Sequence, residues 1–210
     1  MTATKPKVLR RAVSDAEKER RRDEILAAAK KVFARRGYAS TTVADIAKAA
    51  RVSYGSVYWY FDSKDALFHE LMEAEERALR AAIAARLAEL DPSADGEAFF
   101  RAAVTGTFQF FEADKALVRL LFRDAHSLGG RFERHLAGIY ERFISDIEAN
   151  IVAAQARGDI IDAPPRMIAF SVAALIGQIA LRRLSTDDGL DAHVVAEFIV
   201  TLVLEGLRPR

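Results

Sequence analysis

Residues 41–64 read TTVADIAKAARVSYGSVYWYFDSK, two short helical patterns separated by a turn. Thr42-Val43-Ala44-Asp45 opens the first, with a hydroxyl placed to hold free N–H groups and a carboxylate three residues on. Val43, Ile46, Ala47 and Ala50 then form an apolar stripe at helical spacing. Arg51-Val52-Ser53 makes the turn, and Ser53 can cap the second helix. In that helix Val57 and Phe61 face inward, which leaves Tyr54, Gly55, Ser56, Tyr58 and Tyr60 outward. Folding alone gives no reason to expose three tyrosines and a glycine on one short helix. A helix laid in a major groove does: a missing Cβ admits close approach, and hydroxyls reach phosphates and base edges.

The run Gly37-Tyr38, Thr41-Thr42-Val43, Asp45-Ile46-Ala47, Ala50, Val52-Ser53, Gly55, Val57-Tyr58, Tyr60-Phe61 and Ser63-Lys64-Asp65-Ala66-Leu67 resembles the helix-turn-helix signature of the TetR family of bacterial transcriptional regulators. The resemblance covers about a quarter of the chain. It departs at Arg51, where the family usually carries glycine; a non-glycine residue with positive φ is disfavoured there, and the arginine adds a cation near phosphates. On this reading Thr42, Tyr58, Tyr60 and Lys64 hold phosphates, while Ser53, Tyr54, Gly55 and Ser56 lie nearest the base edges. Val43 and Arg51 complete the expected contact set with Trp59, which either lines the DNA backbone or packs at the rim.

Net charge is only +1, but it is divided. Residues 1–64 hold 15 Lys and Arg against 7 Asp and Glu, whereas residues 65–210 hold 16 against 23, so attraction for a polyanion is concentrated in the N-terminal third. There is no cysteine, hence no disulfide or thiolate metal site, as fits a reducing cytoplasm. The basic N-terminus is not followed by an apolar segment of the secretory kind. The longest apolar run, Met167 to Leu181, is too short for a bilayer, so no membrane partner is expected.

The chain reads as all-α. Residues 1–13 have no periodicity and are expected to form a disordered basic arm that either lies along phosphates or hangs free. Residues 14–64 form a three-helix DNA-binding domain whose first helix carries Ile25, Ala29, Val32 and Phe33 and stops at Gly37. Residues 65–210 form a helical effector-binding and dimerisation domain. Its first helix, capped by Asp62 or Ser63, is about 28 residues or ~42 Å long, so a tilt at its far end moves the reading head. Asp91-Pro92-Ser93-Ala94-Asp95-Gly96 ends it. Further helical patterns run over 97–112, 115–127, 131–157, 166–184 and 190–208.

Eight of the thirteen phenylalanines fall between Phe99 and Phe143, more than one amphipathic stripe requires. The excess suggests the walls of an apolar cavity between helices. The expected effector site comprises Phe100, Val104, Thr107, Phe108, Phe111, Phe122, Arg123, His126, Tyr140 and Phe143, with Gln109, Arg119, Asp124 and His135 as further polar groups. In the TetR family this region binds a small-molecule effector; the wall residues point to a hydrophobic or aromatic one. The last two helices are too apolar for the remaining chain to cover. A two-fold four-helix interface, the usual arrangement of the family, would bury Val172, Leu175, Ile176, Ile179, Val195, Phe198, Ile199 and Leu202.

His69 and Glu73 stand at i, i+4, but no third ligand stands at a telling spacing, and no metal or cofactor is expected. No nucleophile, base and orienting group occur in a recognisable order, so an enzyme is not expected. The resulting expectation is a ligand-responsive homodimeric repressor that binds a palindromic operator in double-stranded DNA. The alternative is a small-molecule-binding helical protein with only non-specific DNA contact.

Overall fold

The computed structural model describes residues 7–123, 130–186 and 189–208, and all regular structure among them is helical. The elements are α1 (Lys7–Arg36), α2 (Val43–Ala50), α3 (Tyr54–Tyr60), α4 (Lys64–Ala88), α5 (Gly96–Ala113), α6 (Lys115–Val118), a π-helical turn (Arg119–Arg123), α7 (Gly130–Arg157), α8 (Pro165–Arg182) and α9 (Ala192–Leu207). They form two compact units that divide within α4, after Leu71.

In the N-terminal unit α1 starts at Lys7, so residues 7–13 are helical and not the unstructured arm the missing periodicity suggested. No helix breaker lies between Pro6 and Gly37, and a helix propagates through residues that carry no apolar stripe. Residues 1–6 lie outside the described residues. Ile25, Leu26, Ala29, Val32 and Phe33 of α1 are buried, as are Val43, Ile46 and Ala47 of α2. Phe33, Tyr38 and Phe68 meet ring to ring, with centroids 5.1–5.5 Å apart.

The loop between α1 and α2 is held from both sides. Gly37 takes φ +78°, and its carbonyl accepts the Thr41 hydroxyl at 2.7 Å. Lys64, at the start of α4, donates its ammonium to the carbonyls of Tyr38 (3.0 Å) and Thr41 (2.8 Å) and lies 4.2 Å from the centroid of the Tyr38 ring. Ser63 caps α4, accepting from the Ala66 N–H at 3.0 Å.

In the C-terminal unit α5 packs mainly on α9, and α7 on α8. Val104, Phe108, Phe111, Val118, Val172, Ile176, Val195 and Ile199 share one buried cluster. Asp95, Asp114 and Asp191 cap α5, α6 and α9 through N–H bonds of 2.8–3.0 Å. Arg183, nearly buried, pairs with Glu112 at 2.8 Å and donates to the Leu190 carbonyl at 2.7 Å, tying the end of α8 to α5. α8 is long and apolar enough to cross a membrane by length and composition alone, but seven of its residues are buried in this unit.

Lys64→Met keeps the aliphatic stem and removes the two charge-assisted hydrogen bonds. It is expected to destabilise the N-terminal unit by about 2 kcal/mol. Denaturant unfolding monitored by fluorescence of Trp59, the single tryptophan, reads that unit alone.

Candidate nucleic-acid interface

The helix-turn-helix is assembled by reciprocal caps. The Thr42 hydroxyl accepts from the Asp45 N–H at 3.2 Å, and the Asp45 carboxylate accepts from the Thr42 N–H (3.0 Å) and hydroxyl (2.8 Å). Arg36 donates to the other carboxylate oxygen. These bonds, the Thr42 hydroxyl first, hold the Asp45 carboxyl down at about 2. The Thr42 hydroxyl proton is thus spent within the cap, and a phosphate at this end of α2 would meet backbone N–H groups instead.

Arg51 occupies the left-handed region (φ 57°, ψ 41°) at the end of α2, where its N–H turns back to the carbonyls of Ala47 and Lys48. Among the described residues it is the one non-glycine with positive φ, a conformation that costs roughly 1–2 kcal/mol. Val52 N–H closes on the Ala47 carbonyl at 3.0 Å, completing a Schellman-type end. Ser53 then caps α3, accepting from the Ser56 N–H at 3.0 Å, and the two serine hydroxyls pair at 2.7 Å.

On α3 only Val57 is buried, with Phe61 buried just beyond its end. Tyr54, Tyr58 and Trp59 are exposed, Gly55 is exposed, and Ser56 and Tyr60 are half-buried or more open. Tyr54 donates its hydroxyl to that of Tyr58 at 3.2 Å, the rings being 5.0 Å apart. The Tyr54 phenol beside it, then burial, pushes the Tyr58 hydroxyl above its ordinary range. Trp59 packs edge-on to Tyr60 at 4.6 Å and carries the Lys18 ammonium 5.4 Å above its ring. A Cβ on Gly55 would meet nothing within 4 Å, so packing does not require glycine there.

Two expected contacts take other roles. Val43 is buried, because the first residue of α2 points its branched side chain into the core under the cap. Lys64 turns inward to the Tyr38 and Thr41 carbonyls, where two acceptors at hydrogen-bond distance compete with any phosphate. Lys18, which residue type and spacing did not single out, stands at the rim beside Trp59.

Residues 25–71 match the family described as bacterial regulatory proteins, tetR family. Residues 25–71 are a TetR-type DNA-binding domain. The HTH-type transcriptional repressor KstR2 of Rhodococcus jostii (strain RHA1) is 28% identical over 196 residues, covering 90% of this chain and 92% of that protein. Among solved structures, the transcriptional regulator FadR from Bacillus subtilis, in complex with stearoyl-CoA, superposes with a TM-score of 0.75 at 18% identity over 88% of this chain and 98% of that one. AibR in complex with isovaleryl coenzyme A and operator DNA gives 0.71 at 21% identity over 87% and 97%.

In the C-terminal unit the expected effector walls do not form one set. Val104, Phe108 and Phe111 are core residues, with half-buried Phe100 and Phe122 packed against them. Phe143 and Tyr140 belong to a separate cluster around Ile144, Ala169 and Ala173. Thr107 is buried and spends its hydroxyl on the Ala103 carbonyl of its own helix at 2.8 Å. Burial, then the neighbouring Glu141, raises the Tyr140 hydroxyl. His126 and the side chain of Arg123 lie outside the described residues. Glu73 is taken by Arg142 at 3.3 Å, with His135 Nε2 at 3.9 Å.

The expected dimer face also needs correction. Val172, Ile176, Val195 and Ile199 are buried in the chain's own core, which leaves them little surface to offer a second copy. Phe198 and Leu202 of the expected face are exposed, together with Val194 on α9 and Met167 and Phe170 on α8. Leu175 and Ile179 are half-buried between them and the core.

The Asp45 carboxyl is held at about 2 against an ordinary value near 3.8. Its stabilisation is therefore present above pH ~4 and lost as pH falls through about 2. Asp45→Asn is expected to flatten the acid limb of N-terminal-unit stability between pH ~5 and ~2, read by Trp59 fluorescence, while leaving the C-terminal unit unchanged.

Proposed function

We propose that the protein is a cytoplasmic, effector-responsive repressor that binds a palindromic operator as a homodimer. One α3 helix per subunit enters the major groove, with half-sites about one helical turn (~34 Å) apart. The observation that carries this is the outward face of α3: Tyr54, Tyr58 and Trp59 are 55%, 41% and 63% exposed around a single buried anchor, beside a glycine that packing does not require. Ser53, Tyr54, Gly55 and Ser56 lie nearest the base edges. Tyr58, Tyr60, Arg51 and the backbone N–H groups of Val43 and Ala44 at the start of α2 take phosphates.

Dimerisation would cover the exposed stripes on α8 and α9, since apolar surface of that kind marks an interaction site. The effector we infer is an acyl thioester of coenzyme A. The support is that two neighbours of the same fold carry stearoyl-CoA and isovaleryl coenzyme A, and that the C-terminal unit is rich in apolar aromatics around Phe108, Phe111 and Phe122. α4 runs unbroken from Lys64 to Ala88, the element along which effector binding would bear on the reading helices. By linkage, operator binding weakens effector binding by the same factor.

Gly55→Ala separates this reading from non-specific DNA contact. Alanine favours the helix by roughly 0.5–1 kcal/mol, so the variant is expected to fold at least as well. Its affinity for an operator selected from random duplexes is expected to fall at least tenfold in a gel shift, while bulk-duplex binding changes little. Equal competition by operator and bulk duplex in the wild type would favour a protein with only non-specific contact. Phe198→Glu with Leu202→Glu is expected to give a monomer by sedimentation that no longer binds the operator; an intact dimer would place the interface elsewhere.

A further inference from the structure

In the C-terminal unit Arg119, Gln178, Leu181, Arg182, Leu184 and Ser185 line a solvent-open cavity of ≈ 420 Å³. Its size lies within the range of ~300–1,000 Å³ for small-ligand pockets. Its charge is unusual for its surroundings. Residues 65–210 carry more acid than base, and most arginines there are matched: Arg80, Arg101, Arg142, Arg157 and Arg166 each pair with a carboxylate. Among the described residues neither Arg119 nor Arg182 has an acidic partner, and these two share one cavity.

Local backbone geometry brings them together. Arg119 opens the π-helical turn, whose Phe122 ring presses on α8 at Gly177; a Cβ there would lie 2.7 Å from the ring. Close approach at Gly177 sets Arg119 beside Gln178 and Arg182, the next residue and the next turn of α8. A helix C-terminus repels an anion, but here the Ile179, Leu181 and Arg182 carbonyls are taken by the Arg183, Leu184 and Ser185 N–H groups at 3.0–3.2 Å. Two guanidinium forks, a carboxamide and a hydroxyl remain as donors, a set suited to phosphate oxygens. Leu184 of the lining packs against the apolar cluster that also holds Phe108, Phe111 and Phe122.

We propose that this cavity holds the anionic end of an amphiphilic effector, the phosphate groups of a coenzyme A thioester, with Arg119 and Arg182 as charge partners and Gln178 as a neutral donor. The chemical class rests on the effector reading above; the location rests on the cavity.

The test is isothermal titration calorimetry on the full chain with lauroyl-CoA, laurate and inorganic pyrophosphate. The proteins are the wild type, the double variant Arg119→Gln with Arg182→Gln, and Gln178→Glu, each checked for unchanged helicity. The wild type is expected to bind lauroyl-CoA at least tenfold tighter than laurate. The double variant loses that margin with laurate unchanged, and Gln178→Glu loses part of it in a salt-dependent way. Wild-type thioester affinity in the double variant would overturn the location and leave the effector class standing. If lauroyl-CoA fails to bind the wild type but pyrophosphate binds and is lost in the double variant, the class falls and the anion site stands. Three ligands that do not distinguish the proteins would overturn the site. So would a loss of dimer in the double variant without any change in ligand binding, which would assign the arginines to carboxylates of a second copy.

Discussion

A seven-residue helix does not hold together in water by itself, since nucleation costs more than so few hydrogen bonds return. α3 persists because Ser53 caps its start, Phe61 is buried at its end, and Val57 is driven into the N-terminal core. Only one of its seven residues, Val57, is buried. The other six positions are exposed or half-exposed, and they carry phenols, a serine, an indole and a glycine without a single charge. The remainder of that unit serves this economy: the α1–α2 loop is clamped by Lys64, α2 starts on a reciprocal cap, and the turn between the helices accepts a strained Arg51.

The absence of charge on α3 has its own physical consequence. Lysines and arginines bind every duplex alike through phosphates and counterion release. Hydroxyls and apolar edges gain little from that field and act only where the groove offers a matching donor, acceptor or methyl group. On the proposed function, general attraction comes from the basic surplus of residues 1–64, and discrimination is left to a neutral helix. The C-terminal unit repeats the separation in another form: its core face of α8 and α9 is sealed by its own chain, while the other faces of the same helices stay apolar and uncovered.

Much of the fold was legible because the chain punctuates its helices plainly. Thr42, Ser53, Asp95 and Asp191 are caps that the local pattern announces, and Gly37 ends α1 where φ must be positive. What failed did so for particular reasons. Residues 7–13 carry no apolar stripe, so periodicity could not reveal a helix that propagates into them. A stripe such as Val195 and Ile199 marks an apolar face, but α9 has two, and spacing does not say which one the chain itself covers. Val43 and Lys64 sit inside a DNA-contact motif yet point inward, a matter of side-chain direction that residue type does not encode. The Arg119–Arg182 cavity was beyond reach because it depends on a π-helical turn and on the close approach at Gly177.

The central claim is that the exposed face of α3 is what meets DNA. Trp59 stands on that face, is 63% exposed and is the only tryptophan, so its collisional quenching reports on the helix directly. Acrylamide quenching should be compared for free protein and for protein saturated with its selected operator duplex. The operator duplex is expected to shield Trp59 and lower the quenching constant severalfold, whereas an excess of non-operator duplex at moderate salt does not. An unchanged quenching constant with operator demonstrably bound would contradict it.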